Sequence, residues 1–209
     1  MKTKLFIDFD GTLFDTSGFK KEFFGIFRRA GYSDSDIQKT YATSCMDYSY
    51  SIKEHFDRLL KIKKINPKLT FSRIEHLFKE TKKYIFDDSI DFLENIDREK
   101  YTVILFTLGN VNFQKNKFLS TGLKKYFDTI YYTPIQKWDY LEKEKIVELN
   151  DYFIVIDDRG DTMEKISYKY KKALAIEINR RDKNSDIMEG ESCYSGVKVK
   201  NFEQAEKYL

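Results

Sequence analysis

Five short apolar runs punctuate the chain: Leu5 to Ile7, Tyr101 to Phe106, Thr129 to Thr133, Tyr152 to Ile156, and Ala173 to Ile178. They are apolar throughout rather than alternating, as expected for strands covered on both faces. The last four are separated by amphipathic stretches with helical spacing. Strands of this kind alternating with helices predict a mostly parallel sheet in an α/β fold.

Between Ile7 and Tyr101 the alternation stops. Phe19, Phe23, Ile26, Phe27 and Ala30 fall at helical spacing and Gly31 follows as a stop signal. Ser33 with Asp36 predicts an N-cap for a helix starting near Asp34. Ile52, Phe56, Leu59 and Leu60 mark a third helix, and Asn66-Pro67 breaks the chain. Phe71, Ile74, Leu77, Phe78 and Ile85 mark a fourth. This predicts an all-helical cap over residues 15–85, inserted into a core made of residues 1–14 and 86–209.

Composition narrows the possibilities. Hydrophobic residues make up 41% of the 209, enough for a proper core, and 18 Phe and 15 Tyr supply bulk to fill it. A mean hydropathy of −0.59 reflects charge spread along the chain rather than disorder. The net charge of +3 and pI near 8.6 are mild. Lys61, Lys63, Lys64 and Lys68 read as a solvated helix face, so no nucleic-acid partner is expected. Cys45 and Cys193 lie far apart without metal-ligand spacing, which suits reduced thiols in a cytoplasmic protein. Asp8 interrupts the first apolar run, which therefore does not read as a secretory signal, and no stretch approaches the ~20 apolar residues of a membrane span. A monomer or weak dimer is expected. His55 and His76, the only histidines, sit in helical segments as surface or cap-core residues. Chemistry must come from carboxylates, lysines and hydroxyls.

Ligands of an open parallel sheet bind beyond the carboxyl ends of its strands. After the first run come Asp8, Asp10, Gly11 and Thr12. After the second come Thr107, Leu108, Gly109 and Asn110, after the third Lys137, and after the fourth Asp157 and Asp158. Each alone could be a cap or turn residue, but together they place acids, hydroxyls and a base on one edge. Strand alternation predicts that Asp8 and Asp10 point to the same side. A nucleophile beside a proton donor suits two-step displacement: Asp8 attacks phosphorus, while Asp10 protonates the leaving oxygen and then deprotonates water.

The run Asp8-Phe9-Asp10-Gly11-Thr12-Leu13-Phe14-Asp15 resembles the first motif of the haloacid dehalogenase superfamily, in its phosphatase branch. The other family motifs follow in order: Thr107 is similar to the phosphate-binding hydroxyl residue, Lys137 to the third-motif lysine, and Asp157-Asp158 to the acidic fourth motif. The resemblance implies a Rossmann-like three-layer core with a helical cap. It also implies Mg²⁺ held by the Asp8 carboxylate, the Asp10 backbone carbonyl and Asp158, with Asp157 a further candidate ligand. Gly11, Thr12, Thr107, Leu108, Gly109, Asn110 and Lys137 would surround the phosphate. Lys143 and Lys145 compete with Lys137, Asp161 leaves the register of the acidic motif open, and Arg159 suits either substrate contact or a surface ion pair.

The expected reaction is Mg²⁺-dependent hydrolysis of a small phosphomonoester through an aspartyl-phosphate on Asp8. The substrate would be a phosphorylated metabolite such as a nucleotide or sugar phosphate. A phosphomutase, a nucleotidase and a non-catalytic phosphate-binding module are the alternatives. Asp10 separates ester hydrolysis from dehalogenation, since dehalogenases of the family typically lack it. Thr43 to Ser51, with Met46, Tyr48 and Tyr50, reads either as a helix junction packed by aromatics or as an aromatic wall over a sugar or base. Hinges for a moving cap are expected at Asp15 to Gly18 and Phe86 to Ser89.

Overall fold

A computed structural model describes residues 2–46, 49–180, 192 and 194–209. Each of the five apolar runs forms a strand: β1 (Thr3–Ile7), β4 (Tyr101–Leu108), β5 (Thr129–Thr133), β6 (Phe153–Asp157) and β7 (Leu174–Ile178). With β8 (Val197–Val199) they build a parallel sheet in the order β5-β4-β1-β6-β7-β8. β1 sits at the centre, with Ile7 opposite Leu105 on one side and Ile156 on the other. The edge strand β8 carries no apolar run, because it is three residues long with exposed Lys198 in the middle.

Strand alternation divides the core in two. Leu5, Ile7, Val103, Leu105, Ile154 and Ile156 face one layer, with Phe92 and Leu93 of α5 (Asp87–Asn95), Phe118 of α6 (Val111–Leu119) and Phe202 of α9 (Phe202–Ala205). Phe6, Ile104, Phe106, Phe153 and Val155 face the other, with Leu141 of α7 (Lys137–Lys143) and Met163 and Ile166 of α8 (Gly160–Lys169). These are the three layers of a Rossmann-like α/β fold. Full burial of both sheet faces explains why the strands read as continuous apolar runs.

The long interval after β1 forms α1 (Thr16–Arg29), α2 (Asp34–Thr43), α3 (Ile52–Ile62) and α4 (Pro67–Lys79). Ser33, Ser51 and Asn66 each accept a backbone N–H in the first turn of the helix they precede, the expected N-cap chemistry. The block is not all helical. β2 (Cys45–Met46) and β3 (Ser49–Tyr50) pair antiparallel between α2 and α3. Many of the aromatics gather around His55, which is fully buried. Its ring receives the Tyr50 hydroxyl contact at 2.8 Å and reaches the Ile37 carbonyl at 3.2 Å. Phe23, Phe24, Phe27 and Tyr41 ring it. Burial pushes the His55 pKa down to about 4, so it packs as a neutral core residue. His76 is exposed beside Glu80.

The chain leaves and re-enters the core through two paired segments. Asp15 N donates to the Tyr84 carbonyl at 2.7 Å and Phe86 N to the Leu13 carbonyl at 3.1 Å, with Phe14 bridging Ile85 antiparallel. The expected hinges begin in this ribbon at Asp15 and Phe86, and their other residues, Thr16 to Gly18 and Asp87 to Ser89, belong to the first turns of α1 and α5. Cys45 is a free thiol. Cys193, Tyr48 and the Met46 side chain lie outside what is described. No helix among the described residues is long and apolar enough to cross a membrane.

Candidate active site

β1 delivers Asp8 to the carboxyl edge of the sheet, where its N–H continues the pairing to the Ile156 carbonyl at 2.9 Å. Asp8 and Asp157 follow the alternation of Phe6 and Val155 and so lean toward the α7 layer. Lys137, the first residue of α7, meets them there. Its Nζ lies 2.5 Å from Asp8 Oδ1 and 2.5 Å from Asp157 Oδ2, and only 3% of the residue is exposed. Lys143 and Lys145 are exposed, and of the three lysines it is Lys137 that touches Asp8 and Asp157. Although burial alone would lower the Lys137 pKa, Asp157 and Asp8 raise it, so the side chain stays cationic.

Asp158 completes a cluster. One carboxylate oxygen from each of Asp8, Asp157 and Asp158 lies within 4.8 Å of the others. Gly11 makes room for it: φ is +73°, and a Cβ there would fall 2.2 Å from Asp158 Oδ2. Burial and the neighbouring acids lift the Asp158 pKa well above the ordinary range. Asp8 is pushed up to about 7, chiefly by burial, with Lys137 opposing and Asp157 reinforcing. Three acids against one ammonium leave a surplus of negative charge that a divalent cation with oxygen ligands would neutralise. Asp161 stands apart, exposed and paired with Arg159 at 2.5 Å. Of Asp157, Asp158 and Asp161, it is Asp157 and Asp158 that cluster with Asp8.

A pH dependence follows for the protein in chelator. Asp8 binds its proton more tightly folded, near 7, than unfolded, near the ordinary 3.8. Its contribution to stability is fully present below about pH 4 and is lost as pH rises through about 7. His55, depressed to about 4, acts oppositely, losing stability as pH falls below its ordinary 6.5. The difference in urea midpoint between wild type and Asp8→Asn reports the Asp8 term together with its effect on Asp158. Wild type should lose ground to the variant between about pH 4 and about pH 7 in EDTA, and a constant difference would refute the crowding.

Asp10 takes partners different from those of Asp8, beyond the strand end at Ile7 and beside the turn at Gly11. Asp10 Oδ1 accepts from Thr16 Oγ1 of α1 at 2.6 Å and from Lys117 Nζ of α6, and Oδ2 accepts from Gln114 Nε2 of α6 at 2.6 Å. Burial alone would raise its pKa, but the Lys117 ammonium and these hydrogen bonds bring it below the ordinary value. The resting Asp10 is an ionised acceptor.

The remaining sequence candidates divide. Thr12 and Thr107 are fully buried, and neither hydroxyl has a hydrogen-bond partner among the described residues. Gly11 N is used in the turn, donating to the Phe14 carbonyl at 2.9 Å. Leu108 contributes its carbonyl to Gln114 at 2.9 Å. Asn110 caps α6 through Phe113 N at 3.1 Å and reaches Ser49 Oγ in β3 at 3.3 Å. Sequence reasoning missed Thr16, Gln114, Lys117 and Arg180, whose Nε holds the Thr12 carbonyl at 2.7 Å. Gln114 and Lys117, one helical turn apart beside Phe118, were detectable as polar residues on the face of α6 that must turn inward.

The sequence profile of haloacid dehalogenase-like hydrolases matches residues 5–137. No curated protein matches the chain. Several solved structures share the fold. A Burkholderia xenovorans protein described as a haloacid dehalogenase-like hydrolase superposes with TM-score 0.74 at 13% identity over 100% of both chains. The Bacillus subtilis protein YfnB, described as a hydrolase of this superfamily bound to magnesium, gives 0.65 at 14% over 100% of this chain and 98% of that one. L-2-haloacid dehalogenase from Xanthobacter autotrophicus gives 0.56 at 10% over 88% of this chain and 80% of that one. These likenesses concern the fold, while the profile spans the first motif through Lys137; the chain belongs to the haloacid dehalogenase-like hydrolases.

Proposed function

We propose that the protein is a Mg²⁺-dependent phosphatase acting on a small phosphomonoester through an aspartyl-phosphate on Asp8. The carboxylate cluster carries this reading. Three clustered acids, two of them buried and held by one lysine, suit a divalent cation and an anionic phosphate, whereas displacement of halide from a haloacid calls for neither. The magnesium found with the Bacillus subtilis relative fits the same view. Asp8 and Asp158 carboxylates and the Asp10 backbone carbonyl would hold Mg²⁺, which supplies charge neutralisation between carboxylate and phosphate.

In the first half, an Asp8 oxygen forms a bond to phosphorus as the ester P–O bond breaks. Lys137 and the hydroxyls of Thr12 and Thr107 offer positive charge and donors to the phosphoryl oxygens, which matters because phosphoryl transfer rests on positioning and electrostatics. The leaving alkoxide takes a proton from Asp10, which must acquire it first; a phosphomonoester with second pKa near 6 can bring one. In the second half, water attacks phosphorus, its proton passes to Asp10, and the bond to Asp8 breaks. The ionised Asp10 suits this second role directly. We further propose a phosphorylated metabolite rather than nucleic acid as substrate, given the mild charge.

A metal titration with para-nitrophenyl phosphate tests the reading. Activity should require Mg²⁺, vanish in EDTA, and be inhibited by Ca²⁺, whose larger and looser shell disturbs in-line geometry. Full activity in EDTA, or halide release from chloroacetate without phosphatase activity, would overturn it.

A further inference from the structure

Lys117 is out of place for a structural residue. It is 2% exposed, and its Nζ lies 5.2 Å, 5.3 Å and 5.2 Å from the ring centres of Phe9, Phe14 and Phe113. An ammonium in such surroundings costs several kcal/mol unless paired, and an unbranched apolar side chain would fill the same space without that cost. Its carboxylate partner among the described residues is Asp10. Gln114 works beside it: one amide nitrogen donates both to Asp10 Oδ2 at 2.6 Å and to the Leu108 carbonyl at 2.9 Å. The absence of a side chain at Gly109 gives that amide its space, since a Cβ there would lie 2.9 Å from Gln114 Nε2. Both oxygens of Asp10 are therefore fixed from α6, and the amide that fixes one of them also touches the loop that follows Thr107.

We infer that Lys117, assisted by Gln114, is a positioning residue: it sets where the Asp10 carboxylate stands relative to phosphate bound at Asp8. The inference rests on the phosphatase reading and deepens it. Proton transfer needs the carboxylate within about 2.6–3.2 Å of the oxygen it serves, and a misplacement of about 1 Å can cost on the order of 10²-fold in rate. Lys117 touches no reacting atom in this scheme and acts through Asp10.

The test uses the full chain with Mg²⁺. In Lys117→Met, kcat on an alkyl phosphate should fall on the order of 10²-fold with KM unmoved. Phosphoenzyme formation from para-nitrophenyl phosphate, whose leaving group needs no proton, should stay near wild type. In an Asp10→Asn background the same substitution should add no further loss in the rate of phosphoenzyme hydrolysis, because residues acting as one unit are not additive. Wild-type kcat in Lys117→Met, an equal loss in phosphoenzyme formation for both leaving groups, or an additive loss in the Asp10→Asn background would each overturn the inference. Gln114→Leu keeps the ion pair and serves if Lys117→Met does not fold. It should show a smaller loss of the same kind, in kcat alone, and wild-type kcat there would overturn the inference. If wild type itself turns over no phosphate ester, the phosphatase reading fails and this inference fails with it.

Discussion

Asp8→Asn is expected to lower kcat by about 10⁴-fold or more and to leave no covalent phosphate on the protein. An amide is a poor nucleophile, and the neighbouring Asp157 is held by Lys137 and by Arg159 N. The loss should not come from unfolding. In EDTA the variant should be at least as stable as wild type, since it removes one of three crowded acids. Asp10→Asn should behave differently: the first step with a good leaving group partly survives, hydrolysis of the intermediate does not, and phosphate accumulates on Asp8. Mass spectrometry of quenched samples, read on the peptide covering residues 5–20, compares the two. Phosphate on the Asp8→Asn protein would place the nucleophile elsewhere.

Lys137→Met should lose about 10²- to 10³-fold in kcat, the usual cost of removing one preorganised donor from a developing charge. It should also destabilise the metal-free protein by about 3 kcal/mol, because Asp8 and Asp157 lose the ammonium that touches both at 2.5 Å. The loss should shrink toward acid pH, where the acids take up protons instead. Mg²⁺ should restore much of the stability but not the rate. Urea denaturation with and without EDTA, alongside kinetics, reads the two effects separately. Lys143→Met, on the exposed end of the same helix, should change neither. Unaltered stability and rate in Lys137→Met would remove the lysine from the site.

The inner strands β4, β1, β6 and β7 were legible because both sheet faces are buried there, and the edge strand β5 because it keeps five β-branched and aromatic residues in a row. Val197–Val199 escaped notice because an edge strand of three residues carries too little pattern. Asp8, Asp157 and Lys137 could be anticipated from their places at strand ends. The environment of Asp10 could not be, because it depends on how far strand geometry persists past Ile7 and on a helix 104 residues away along the chain at Gln114. The same limit applies to the junction with the insertion: the sequence marks where helices start, but not that residues on either side of it hydrogen-bond to each other.

That ribbon bears on how such a chain could be assembled or rebuilt. Phe14 and Ile85 are direct neighbours, so the core already sees a closed loop at this point, and loop-closure entropy grows only slowly with the length of what lies beyond it. The junction is a natural graft point: a shorter or a foreign hairpin could leave and return through the same pair without shifting β1 or α5. The obstacle to such an exchange is apolar rather than topological. Phe14 packs its ring on Phe9 at 4.8 Å, on Phe19 at 5.6 Å and on Tyr84 at 5.6 Å. Any substitute segment would have to bring its own cover for Phe9 and Phe14, beside the lysine that holds Asp10.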